Sequence, residues 1–174
     1  MKNKVLILIL IFFILLSSSG FAAAAELKIP EGTLIKISLE TPLSSRVNKK
    51  GEMVKFKVDK AVKIASKTLI EKGALAQAQI TEVRGPGKFG RNARLKLKFL
   101  FVINKSGKQV PIHLGEQAAK INKQEGYAIG ASAGGFLLLG PIGLLGGAFV
   151  KGKHVELDKG TELFVEVDKT EPKK

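Results

Sequence analysis

The sequence contains no cysteine and no tryptophan, and only one tyrosine and two histidines among its 174 residues. Without cysteine no disulfide can stabilise the fold, so its stability must come from a hydrophobic core. His113 and His154 are too few and too far apart to form a cluster with the spacing of metal ligands. No nucleophile elbow or other local catalytic signature is present. The sequence therefore predicts a protein that is not an enzyme and that uses no cofactor and no metal.

Acidic residues are also scarce relative to basic ones. The chain has 29 lysines and arginines against 15 aspartates and glutamates, a formal net charge of +14 at pH 7. A strongly basic protein favours anionic partners. Membrane lipid and an anionic envelope polymer are therefore the candidate partners, and we expect no specific recognition of nucleic acid.

The first 25 residues have the three parts of a secretory signal peptide. Two lysines open the chain, an apolar run covers 5–16, and small residues at Ala23 and Ala25 form a cleavage site. An uncleaved membrane anchor is the alternative, but the run is shorter than the roughly 20 residues that span a bilayer. The sequence thus predicts an exported protein of the periplasm or cell envelope, with a mature chain of 26–174.

Between residues 33 and 110, apolar and polar residues alternate in several short runs. Successive side chains of a strand point to opposite faces, so each run predicts a strand with one buried and one solvated side. The solvated side is rich in lysine, which is typical of an exposed face and less often of a dedicated binding face. The predicted buried positions in three of these runs are Ile35, Ile37 and Leu39; Val54, Phe56 and Val58; and Leu95, Leu97, Phe99, Phe101 and Ile103.

A weak internal repeat links three distant parts of the chain. In IPEGTLIKI, IEKGALAQA and LDKGTELFV an acidic or basic residue is followed by glycine and then by an alternating run. The glycines are Gly32, Gly73 and Gly160, and a tight turn that leads into a strand often needs the positive φ that glycine adopts cheaply. Three such units predict a small β-barrel or sandwich in which three strands begin in the same way.

Several short motifs resemble the TrbI-like β-barrel family. They are Ile29-Pro30-x-Gly32-Thr33, Leu43-Ser44-Ser45, Ile70-x-Lys72-Gly73-Ala74, Gly90-Arg91 and Gly107-x-x-Val110-Pro111-Ile112. The resemblance covers about 27–114 and again 155–168. It implies a barrel in the cell envelope, since members of the family form the outer-membrane core of conjugative type IV secretion. Those members carry an inner-membrane helix and a proline-rich arm, where this sequence has a predicted signal peptide.

The segment from Gly126 to Val150 contains no charged residue and is rich in glycine. Its glycines at four-residue spacing would share one face of a helix and allow another helix to approach closely. Gly140-Pro141 interrupts the segment, which predicts two helical arms, 126–139 and 142–150, joined by a turn. The residues expected to pack against a membrane neighbour or another subunit are Gly126, Gly130, Gly134, Gly143 and Gly147.

A helical hairpin is favoured over a single spanning helix, because a hairpin returns the chain to the side where 155–168 can complete the barrel. Arms of about 21 and 14 Å would each be too short to cross a bilayer of about 30 Å. The alternatives are two small helices that pack on the barrel, or a buried glycine-rich pair of strands. The residues expected at the membrane interface are Tyr127, Lys123, Lys151 and Lys153.

Two functions of different classes remain open on the sequence alone. The first is a non-enzymatic structural protein of the cell envelope, a single β-barrel-like domain over 26–174 that is interrupted by the apolar segment 126–150. That segment would attach the barrel to a membrane or to another copy. The alternative is a soluble periplasmic or secreted module that binds polyanions through its cationic strand faces.

Overall fold

The computed structural model describes residues 28–87, 91–124, 129–132, 136–139 and 154–168. Within these residues the chain forms twelve strands and one helix, α1 (Glu116–Gln124). The strands are β1 (Leu34–Leu39), β2 (Leu43–Ser44), β3 (Met53–Val58), β4 (Val62–Ile64), β5 (Lys67–Ile70), β6 (Leu75–Arg84), β7 (Arg94–Ile103), β8 (Gln109–His113), β9 (Ile129–Ser132), β10 (Phe136–Leu139), β11 (Glu156–Leu157) and β12 (Glu162–Val167).

Six antiparallel strands close into a barrel, which confirms the mainly β fold that the sequence predicts. The order around the wall is β6-β3-β1-β12-β8-β7, and β7 pairs with β6 to close it. The last strand, β12, lies next to the first, β1, with Ile35 opposite Val165. The β6–β7 pairing closes the ring, but β8 covers only part of the facing edges of β7 and β12. Strands β4 and β5 form a separate hairpin, and β2 pairs with β11.

The core fills the interior of the barrel with the residues that alternation predicts for β1 and β3. Ile35, Ile37 and Leu39 of β1 are 0–1% exposed, and Val54, Phe56 and Val58 of β3 are 1–3% exposed. The rings of Phe56 and Phe99 meet with centroids 5.7 Å apart, an edge-tilted geometry that aromatic pairs favour. Burial of apolar side chains therefore supplies the stability that no disulfide provides.

The prediction for the second half of β7 is wrong. Leu95, Leu97 and Phe99 are buried as expected, but Phe101 and Ile103 are only half-buried and Val102 is buried instead. The register with β6 shifts between Gln77 and Ala78, which pair with Phe101 and Phe99. A β-bulge thus adds one residue, Leu100, and moves every later side chain to the opposite face.

The three repeated turns share one hydrogen-bond pattern. Gly32, Gly73 and Gly160 have φ angles of +76°, +84° and +85°, and the residue after each glycine donates its N–H to the carbonyl three residues earlier. Each glycine also donates its N–H to the carbonyl of the last residue, or last described strand residue, of a neighbouring strand. The acceptors are Val167 for Gly32, Val58 for Gly73 and Leu39 for Gly160. The turns therefore set the register at which β1, β6 and β12 enter the barrel.

The first predicted helical arm, 126–139, is wrong where the structure describes it. Ile129–Ser132 and Phe136–Leu139 are strands β9 and β10, which pair with each other, and β10 also pairs with β7 from Leu95 to Lys98. The fold therefore has a glycine-rich β-hairpin here, the strand-pair alternative, in place of an α-helical one. Glycine has a poor helix propensity, so pairing with an otherwise open stretch of β7 decides the conformation. The second arm, 142–150, lies outside the described residues.

The turn between β4 and β5 holds two non-glycine residues in the left-handed region. Ala65 and Ser66 have φ angles of +47° and +64°, the geometry of a two-residue hairpin turn that prefers Asn-Gly. We expect Ala65→Asn with Ser66→Gly to raise the free energy of unfolding by about 1–2 kcal/mol. Thermal unfolding followed by circular dichroism measures this. Ala65→Pro, whose ring forbids a positive φ, should lower the stability, and equal stabilities for all three proteins would contradict the assignment.

Candidate functional site

One end of the barrel combines the elements that the apolar segment connects, and we call it the hairpin end. Strands β1 and β6 finish at this end, and β3, β7 and β12 begin there. The connections 40–52, 85–93 and 154–161 therefore all lie at the hairpin end. The opposite end carries the turns that precede β1 and β6, the β4–β5 hairpin and the turn between β7 and β8.

Near the hairpin end, β7 and β12 have no barrel strand between them, because β8 is short and ends before it reaches this end. Strand β8 pairs with β7 only at Phe101–Ile103 and with β12 only at Glu166 and Val167. Beyond β8, strand β10 takes the edge of β7, and α1 packs against both β12 and β9. Helix α1 and the β9–β10 hairpin together fill the part of the wall that β8 does not reach.

Asn122 connects α1 to the edge of β12. Its side-chain amide donates to the Phe164 carbonyl at 2.9 Å, and its side-chain oxygen accepts the Phe164 N–H at 2.7 Å. Asn122 is completely buried. Backbone groups buried away from water need hydrogen-bond partners. At Phe164 the Asn122 side chain supplies the two hydrogen bonds that a neighbouring strand would otherwise make.

Glu166 makes the second polar contact between β12 and α1. Its carboxylate accepts the N–H of Ala118, in the first turn of α1, at 2.6 Å, and the residue is 7% exposed. A carboxylate at the N-terminus of a helix satisfies a free N–H and interacts favourably with the helix dipole. Gly115, just before the helix, leaves space for this carboxylate, because a Cβ at that position would collide with it.

The chain leaves the described sheet at Leu139 and re-enters the described part at His154, both at the hairpin end. The re-entry point is fixed by β11, which pairs with β2 through Glu156–Ser44 and Leu157–Leu43. Ser45 strengthens this pair: its hydroxyl lies 3.2 Å from Nδ1 of His154 and accepts the Val155 N–H at 3.0 Å. This hydroxyl is buried and already accepts a backbone N–H. The Ser45–His154 contact therefore stabilises the β2–β11 pair and does not resemble a catalytic serine–histidine pair.

Two carboxylates near the hairpin end have altered titration. A hydrogen bond and the charge of Lys96 hold the pKa of Glu82 below its ordinary value, and the two side chains form an ion pair at 3.1 Å. The side-chain amide of Asn48, followed by the backbone N–H of Lys49, lowers the pKa of Glu52. Both carboxylates therefore stay ionised at neutral pH, and neither is suited to act as a general acid there.

Two of the residues that the sequence assigns to packing or to the membrane interface lie within the described residues, Gly130 and Lys123. Gly130 lies in β9, opposite Leu138 of β10, so the helical geometry expected for it is wrong, and a packing role for it stays a prediction. Lys123 lies exposed in the last turn of α1. The residues outside the described part are Gly126, Gly134, Gly143, Gly147, Tyr127, Lys151 and Lys153.

Within the described residues, no group of three or more histidine, aspartate or glutamate side chains could hold a metal ion. No described helix is long and apolar enough to cross a membrane. A shallow cavity of about 310 Å³ lies at the opposite end, between the turns around Gly73 and Gly107. It is open to solvent, and the Glu71–Lys105 ion pair beside it is exposed, with 3.5 Å between the charged atoms.

No family model and no curated protein matches the chain. A solved structure similar to it is ComB10 of the Com type IV secretion system of Helicobacter pylori. The two share 16% sequence identity over 80% of this chain and 87% of that chain, with a TM-score of 0.45.

Proposed function

We propose that the protein is a non-enzymatic structural component of the cell envelope. In this proposal the barrel is a rigid scaffold that associates with a membrane, or with another copy, through the segment that follows β10. The observation that carries the proposal is the path of the chain. It leaves the sheet at Leu139, continues through a stretch to Val150 that has no charged residue, and returns at His154 on the same end of the barrel.

The chemistry of that stretch supports association with an apolar environment. Its residues include Leu144, Leu145, Phe149 and Val150. Burying an apolar side chain of this size stabilises by about 1.5–3 kcal/mol. Since the described residues alone form a continuous buried core that includes β1, β3 and β6, we infer that these residues serve contacts outside the barrel. The signal peptide that the sequence predicts for residues 1–25 would be consistent with an envelope location.

A second candidate function is the binding of an anionic polymer to the outer face of the barrel. Lys55 and Lys98 are exposed on β3 and β7, and each lies opposite a neutral glutamine of β6, Gln77 and Gln79 respectively. This arrangement places one cation on each side of β6, with the two hydrogen-bonding amides of β6 between them. A polyanion would bind there mainly through charge.

Fractionation of cell envelopes in about 1 M salt separates the two functions, because the screening length falls to about 3 Å. We expect the protein to stay in the membrane fraction after this wash, since apolar contacts are not weakened by salt. Release into the soluble fraction would contradict membrane association and support the polyanion function. Lys55→Gln with Lys98→Gln is the matched variant, and it should leave retention in membranes unchanged.

A further inference from the structure

The large hydrophobic side chains that are exposed on the described barrel lie at the hairpin end. They are Val47, 75% exposed, in the loop between β2 and β3, and Met53, 46% exposed, at the start of β3. Among the described residues the opposite end exposes no comparable side chain. A single exposed aliphatic residue needs no explanation, but this pair lies on the end from which the uncharged stretch departs.

Hydrogen bonds hold the loop in a shape that presents Val47 to solvent. The side-chain oxygen of Asn48 accepts the Ser44 N–H at 2.8 Å, and the Asn48 N–H donates to the Ser44 carbonyl at 3.0 Å. The amide nitrogen of Asn48 also donates to Glu52 at 2.8 Å. The loop is therefore closed across its base, and Val47 at its tip is exposed by a defined turn.

Basic side chains surround this apolar tip. Arg46, Lys49 and Lys50 are exposed beside Val47, and Arg46 makes an exposed ion pair with Glu156 at 3.1 Å. An apolar side chain with flanking cations matches the boundary of an anionic bilayer, where apolar groups enter the headgroup region and lysines contact phosphates. A second copy of this chain is a poor occupant, because its excess of basic over acidic residues would repel the loop.

We propose that the loop 46–50 is a second membrane contact, in which Val47 inserts into the headgroup region of an anionic lipid surface and Lys49 and Lys50 bind lipid phosphates. This inference rests on the proposed membrane association and adds an orientation to it. With contacts at both the loop and the stretch after β10, the barrel lies with its hairpin end against the membrane. The outer faces of β3, β6 and β7 then stay in water.

The absence of cysteine allows a direct test with single labelled positions. Val47→Cys carries an environment-sensitive fluorophore, and Ala65→Cys, exposed in the β4–β5 turn at the opposite end, carries the same label as control. The probes are vesicles of phosphatidylglycerol and phosphatidylcholine, or of phosphatidylcholine alone, with a nitroxide quencher on the lipid headgroups. On anionic vesicles without nitroxide lipid, we expect the emission of the label at position 47 to rise at least about two-fold. On anionic vesicles with nitroxide lipid, we expect that emission to be quenched. The label at position 65 should show neither change.

The possible outcomes separate the loop contact from the proposed membrane association. Vesicle-bound protein without quenching at position 47 overturns the loop contact and leaves the proposed function intact. Equal quenching on neutral vesicles contradicts the role of the lysines. Protein that does not bind either vesicle overturns the membrane association and, with it, the loop contact, and leaves association with another copy as the role of the segment after β10.

A pair of charge variants tests the lysines separately. Lys49→Gln with Lys50→Gln removes two charges at the hairpin end, and Lys60→Gln with Lys63→Gln removes two at the opposite end, where both residues are exposed. Each lysine at an anionic surface contributes about five-fold in affinity. We expect the first pair to weaken binding to the anionic vesicles by about 30-fold and the second by less than about three-fold. Equal losses would overturn the assignment of the loop.

Discussion

Replacing Asn122 with alanine is expected to lower the free energy of unfolding by about 3 kcal/mol. The substitution removes both partners of the Phe164 backbone, whose N–H and carbonyl are bonded to the Asn122 amide at 2.7 and 2.9 Å. Each buried polar group left without a partner costs about 1–3 kcal/mol. Asn122 is completely buried, so water cannot replace the amide unless α1 moves away from β12.

Urea unfolding followed by far-ultraviolet circular dichroism measures this effect, since the chain has no tryptophan to report by fluorescence. Gln124→Ala is the matched control on the same helix. It removes an exposed amide and should change the stability by less than about 0.5 kcal/mol. A loss at Asn122 no larger than that of the control would show that α1 does not complete the edge of β12.

Gly115→Ala should lower the stability by about 2–3 kcal/mol, a large effect for one methyl group. The new Cβ would occupy the position of the Glu166 carboxylate. That carboxylate is itself held by the Ala118 N–H at 2.6 Å, so moving it breaks a charge-assisted hydrogen bond at a helix N-terminus. The protein must either accept the collision or lose this bond, and overpacking alone costs about 1–3 kcal/mol.

A double-mutant cycle with Glu166→Ala isolates this collision. Once the carboxylate is absent, Gly115→Ala should cost less than about 1 kcal/mol, because the methyl group then enters vacated space. The coupling energy between the two positions should be about 1–2 kcal/mol, measured by the same urea unfolding. Strictly additive effects would mean that the carboxylate does not occupy the space beside Gly115.

The barrel strands could be predicted from the sequence because their information is local. The alternation of apolar and polar residues in β1 and β3 predicts that Ile37 and Phe56 are buried. The glycine motif around Gly73 predicts the turn that precedes β6. The bulge at Leu100 could not be predicted in this way. The bulge arises from the pairing between β6 and β7. The buried face of β7 changes from odd-numbered to even-numbered residues there, and no glycine or proline in the sequence indicates the change.

The conformation of the apolar segment also depends on contacts that are distant in the sequence. The four-residue spacing of glycines in this segment places them on one face of a helix, but it is also a multiple of the two-residue repeat of a strand, and Gly130 lies in strand β9. The decisive fact is that β8 ends early and leaves Leu95–Lys98 of β7 open for β10. The contacts of Asn122 and Glu166 were missed for a similar reason, since their partners lie 42 and 48 residues away.

We infer that the stretch between β10 and β11 holds the barrel to a membrane, the first of the two associations proposed for it. The most direct measurement is flotation of envelope membranes, in about 1 M salt, from cells with the natural chain or with residues 140–150 replaced by a Gly/Ser linker of equal length. The variant keeps β9 and β10, so its circular dichroism should remain that of a β-barrel. We predict that the natural chain floats with the membranes and the variant stays soluble. A folded variant that still floats, or a natural chain that does not float, would contradict the claim.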